Sequence, residues 1–119
     1  MKKIIYLTVV LLLSVFFSSA KKKAGHTVFE TESRFIHDAC LSAYGRVVVC
    51  TDNSSLKAFS VEDGKLLARF GGGHKDDVLC VDLSPDSTLL VSGGRDSMVV
   101  LYDFIISEIL HRFQISNGV

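Results

Sequence analysis

From about Ser33 onward, short apolar runs alternate with clusters of turn-forming residues. Val78 to Leu83 reads as a strand and is followed by Ser84-Pro85-Asp86-Ser87. There the proline presets φ, and the Asp and Ser side chains can bond back to the backbone. Thr88 to Ser92, Met98 to Tyr102 and Ile109 to Phe113 continue the series, with Gly93-Gly94-Arg95-Asp96 as a second turn cluster. The β-branched and aromatic content of Met98 to Tyr102 suits a pleated surface. Earlier runs at Val47 to Cys50, Leu56 to Phe59 and Leu66 to Phe70 show the same habit, with Glu62-Asp63-Gly64 as a turn. Short strands at regular spacing predict an antiparallel all-β chain. Val99 to Leu101 is continuously apolar, which predicts a strand covered on both faces.

The chain also repeats itself. Shifted by 43 residues, Asn53 to Ser60 lies over Asp96 to Asp103, and with a slip of one Ala39 to Ser42 lies over Val81 to Ser84. A period of about 40–45 residues is that of the WD40 unit. The better copy carries Gly73-His74, Leu83-Ser84-Pro85-Asp86, Ser92-Gly93-Gly94-Arg95-Asp96 and Leu101-Tyr102-Asp103. Residues 73–113 thus resemble one WD40 repeat, from its Gly-His dipeptide to its Trp-Asp dipeptide, with Tyr102 in place of the tryptophan.

The resemblance implies a hydrogen-bonded network inside the blade, made here by His74, Ser92, Asp96 and Tyr102. A buried aspartate needs donors, and a histidine can give one N–H while accepting at its other nitrogen from a serine hydroxyl. The Tyr102 O–H is placed differently from an indole N–H, which leaves the last bond open. The first copy is degenerate: Asn53 replaces the aspartate, Phe59 the tryptophan and Ser60 the final aspartate. Gly25-His26 could open it, though at a longer spacing. Its network is expected to be missing, while its apolar strands can still pack.

Met1 to Ala20 has a different pattern. Lys2 and Lys3 precede an apolar stretch from Ile4 to Phe17, and Ser18-Ser19-Ala20 offers a small-residue cleavage site. This is the form of a secretory signal. Fourteen residues would make a helix of about 21 Å, short of the roughly 30 Å bilayer core. An uncleaved anchor is the variant reading, and WD40 repeats usually work in the cytosol or nucleus, so the two halves imply different compartments.

Composition adds mostly exclusions. Basic and acidic residues balance at 13 each among 119 residues, so no global field draws nucleic acid or an anionic membrane. Cys40, Cys50 and Cys80 lie in apolar runs with no CxxC spacing, and are expected to be reduced and buried. Gly71-Gly72-Gly73-His74-Lys75 lacks the phosphate-loop spacing and reads as the connection between two blades. His26, His37, His74 and His111 form no zinc motif, and no Ser or Cys has a nearby His and acid in a recognisable nucleophile motif along the sequence. Neither cofactor nor metal is expected, nor an enzyme. Asn53-Ser54-Ser55 fits a glycosylation acceptor only in the secretory pathway.

These readings divide the chain into a candidate signal or anchor (1–20), a polar linker (21–32), a degenerate blade (33–72), a WD40 repeat (73–114) and a tail (115–119). The expected fold is one to two four-stranded antiparallel blades of an incomplete β-propeller. Rings take about four to eight blades, so these would expose apolar faces. The implied function is a protein–protein interaction module, as scaffold material from a larger protein or as a self-associating unit. Its partners would be other proteins or other blades, and a membrane only if residues 1–20 anchor it. The rival expectation is a small secreted or membrane-tethered β protein.

Overall fold

Turn residues cut the chain into strands that pair with their sequence neighbours. The computed structural model describes residues 3–8 and 26–116. Strands β3 (Ala39–Leu41), β4 (Val47–Asp52), β5 (Ser55–Ser60) and β6 (Leu66–Phe70) form one antiparallel sheet in chain order. Strands β7 (Val78–Leu83), β8 (Leu89–Gly94), β9 (Met98–Asp103) and β10 (Glu108–Gln114) form a second with the same up-and-down order. Hairpin connections explain this, since they are short and demand no crossover. Ser84 and Asp86 pin the β7–β8 turn: the Ser84 hydroxyl donates to Asp86 Oδ1 at 2.7 Å and accepts the Leu89 N–H at 3.0 Å.

The two sheets pack face to face. Val49, Leu56, Ala58 and Phe70 from the first meet Val78, Val81, Leu90, Val100 and Tyr102 from the second in one buried cluster. Phe70 lies edge-on to Tyr102 at 5.5 Å and stacks on Phe104 at 5.6 Å. Polar stitches fix the relative height of the sheets. Asp38 Oδ2 accepts the Val81 N–H at 3.0 Å, Asn53 O accepts the Val78 N–H at 2.8 Å, and Ser87 Oγ accepts the Ala43 N–H at 2.8 Å.

Part of the expected linker is structured instead. Residues 26–31, placed within the polar segment 21–32, form strand β2 (His26–Thr31), which pairs antiparallel with β1 (Lys3–Thr8). Phe29 and Thr31 are buried, and Phe29 packs on Phe59 with ring centroids 5.2 Å apart. The reason is a second apolar face on the first sheet, formed by Val48, Cys50, Phe59 and Val61, which β2 covers. Of the candidate signal segment only residues 3–8 are described, as β1, and the rest lies outside the described residues. No helix among the described residues is long and apolar enough to cross a membrane.

The far face of the second sheet carries Leu89, Val91, Val99, Leu101 and Phe113 by register. Leu89, Val91 and Phe113 are exposed, and Val99 and Leu101 are half-buried. The continuous apolar run at 99–101 is therefore covered on one side only. Cys80 shares this face and is exposed, against the expectation of burial, while Cys40 is half-buried and Cys50 buried. All three thiols are free.

Candidate functional site: the polar network within the blade

Three of the four anticipated network residues come together at one end of the second sheet. His74 sits in the β6–β7 connection, Ser92 on β8 and Asp96 in the β8–β9 turn. His74 Nδ1 lies 3.0 Å from Asp96 Oδ1, and His74 Nε2 lies 2.7 Å from the Ser92 hydroxyl. An ionised carboxylate only accepts, so Nδ1 carries the proton, and in the neutral ring Nε2 accepts from Ser92. Asp96 Oδ2 also accepts the Lys75 N–H at 2.8 Å, and Oδ1 the Met98 N–H at 3.1 Å. Partial burial works against the Asp96 charge, but the Lys75 N–H, His74 and the Met98 N–H outweigh it and hold the carboxyl below its ordinary range. The chain of bonds ties the inter-sheet connection to the second sheet.

Tyr102 lies beside Ser92 but does not extend the chain of bonds. Its ring is buried, yet its hydroxyl makes no hydrogen bond among the described residues. Burial raises its pKa above the ordinary phenol value. The hydroxyl points at Gly73, where an added Cβ would collide with it. Gly73 is thus set by close approach, with the tyrosine standing in the tryptophan position. Gly94 is set the same way, since a Cβ there would lie 2.5 Å from His74 Nδ1 and 2.6 Å from Asp96 Oδ1.

The first sheet has a polar centre too, where none was expected. Asp52 Oδ1 accepts the Ser33 N–H at 2.7 Å, and Oδ2 accepts the Glu32 N–H at 3.2 Å. Lys57 Nζ pairs with Asp52 Oδ2 at 2.5 Å and lies 3.9 Å from Glu32 Oε1. Sequence reasoning looked for the acid at position 53 and missed it one place earlier. A lysine inside the otherwise apolar run 56–59 was the available signal. Of the Gly25-His26 pair only His26 lies among the described residues. His26 begins β2, and Thr31, 43 positions before His74, is buried at the end of that strand.

Among the described residues no group of three or more His, Cys, Asp or Glu could hold a metal ion. Burial pushes the thiols of Cys40 to about 11 and Cys50 to about 12, which keeps both protonated. The arrangement positions backbone, holding the β6–β7 connection against the second sheet.

Two four-stranded antiparallel sheets packed face to face, joined by a loop that is tied into the second sheet, are neighbouring blades of a β-propeller. The family profile described as "WD domain, G-beta repeat" matches residues 64–103. WD repeat, SAM and U-box domain-containing protein 1 of Danio rerio is 32% identical over 83 residues, covering 69% of this chain and 17% of that protein. WD repeat-containing protein 1 of Gallus gallus is 35% identical over 88 residues, covering 74% of this chain and 13% of that protein. The solved structure of U3-55K superposes with a TM-score of 0.65 at 23% identity, over 69% of this chain and 27% of that one. The chain thus carries a WD40 repeat at residues 64–103 and is similar to WD-repeat proteins over about seven-tenths of its length. It spans less than a fifth of the length of these two curated relatives.

Proposed function

We propose that this chain is a protein-interaction module, a part of a WD40 propeller whose uncovered blade face seats a further blade and whose loops meet protein partners. One comparison within the molecule carries the reading. Phe113 on β10 occupies the place that Phe70 holds on β6, since Phe70 pairs with Leu56 and Phe113 with Val99 in matching register. Phe70 is 1% exposed beneath the second blade, whereas Phe113 is 48% exposed. The face that takes a blade in the first repeat is free in the second. Contiguous apolar surface of this kind marks an interaction site. Propeller loops held by a rigid sheet are the natural carriers of partner contacts.

Light scattering after size exclusion of the full chain tests the proposal. An assembly of several copies, or capture of other blades on co-expression with a longer propeller segment, is the expected result. A monodisperse monomer that takes no blade in that co-expression would end the reading.

A further inference from the structure

We propose that the Asp52–Lys57 ion pair is a latch that holds strand β2 as a strap across the first blade. It replaces with charge the hydrogen-bonded chain that the second blade uses. The register equates the two sites residue by residue. Cys50 opposite Lys57 corresponds to Ser92 opposite Val100, and Phe59 corresponds to Tyr102. On the same count Asp52 falls where the second blade has Gly94.

That position explains the exchange. In the second blade His74 and Asp96 fill the space a side chain at 94 would need. The first blade has Thr31 in place of the histidine and Asn53 in place of the turn aspartate. The space is therefore open to a carboxylate arriving from position 52. Once there, it accepts the Glu32 N–H, as Asp96 accepts the N–H of Lys75, 43 residues further on. It takes the Ser33 N–H as well. The two side chains are 2% and 5% exposed, so the Asp52 charge requires the Lys57 cation beside it.

What the latch holds is β2. Beneath this strand lie Val48, Cys50, Phe59 and Val61, with Phe29 seated among them. Val28 O passes so close to Gly64 that a Cβ there would sit 2.5 Å from it. Releasing residues 32 and 33 would free the strand at a buried polar anchor, and leave that apolar face to water.

Hydrogen–deuterium exchange on the full chain decides the matter. In K57M the Asp52 carboxylate loses its cation, and exchange across residues 27–33 is expected to rise by about tenfold or more. Strands β8 and β9 should keep their protection. D52N, which preserves shape and one acceptor, is the milder variant and is read the same way should K57M not accumulate as folded protein. Unchanged exchange at 27–33 would overturn the latch. So would an equal rise in β8 and β9, because that marks a general loss of stability.

Discussion

Tyr102 carries its ring into the core at the cost of a buried hydroxyl that has no hydrogen-bond partner among the described residues. Such a group costs about 1–3 kcal/mol when nothing replaces its water. Tyr102→Phe should therefore stabilise the chain by about 1 kcal/mol, read as a melting temperature higher by about 4 °C. Gly73→Ala should do the reverse, costing about 1–3 kcal/mol as its methyl meets the same hydroxyl and Val100 Cγ1. Combining the two should recover part of that loss, because one atom causes both effects, and a double-mutant cycle measures the coupling. Asp96 sets a different dependence. Its folded pKa lies below the ordinary value of 3.8, so its contribution is complete above that value and is lost as pH falls through the folded one. Thermal melts between pH 6 and 3 should show a shallower acid decline for Asp96→Asn than for the parent chain. Parallel curves would show that the acid limb belongs to other carboxylates, of which Asp63 and Asp86 are also lowered.

Each blade element is fixed by a face-by-face choice of side chains, and that choice decides which thiol reacts. On β7, Val81 and Leu83 face the first blade, while Cys80 and Asp82 face outward. A thiol reagent such as 5,5′-dithiobis(2-nitrobenzoate) should label Cys80 well ahead of Cys40 and Cys50, which burial keeps protonated and shielded. Mass mapping after partial labelling checks the order. The sequence showed the strands of both blades, because turn residues and apolar runs are local signals. It also brought His74, Ser92 and Asp96 to one place through the repeat spacing. It could not show β2, because a strand whose partner is residues 3–8 depends on distant pairing and not on its own mixed polarity. Nor could it show the role of Asp52, since the carboxylate moved one position and changed its counter-group from histidine to lysine. Cys80 was misjudged for a third reason: an apolar strand predicts a buried residue only where both faces are covered.

At the scale of the whole molecule, the two blades are unequal although they repeat one design. The first is covered on both sides, by β2 and by the second blade, and the second is covered on one. Phe70 and Phe113 report this inequality, because register makes them equivalent and burial makes them different. Phe70→Ala removes a ring packed against Tyr102 and Phe104, and should cost about 3–5 kcal/mol. Phe113→Ala removes a half-exposed ring that stacks on His111, and should cost less than about 1 kcal/mol. Chemical denaturation of the two variants measures the difference directly. If the outer face is a seat for another blade, the order changes in the assembled state. Phe113→Ala, or more sharply Phe113→Lys, should then weaken association while leaving the isolated chain's denaturation midpoint nearly unchanged. Equal losses at the two positions in the isolated chain would mean that Phe113 is already buried by a neighbouring copy. Equal and small losses would mean that the blades do not share the packing that Phe70 describes. Only a large loss at Phe70 beside a small one at Phe113 fits an exposed second face, and only that pattern lets Phe113→Lys act on association alone.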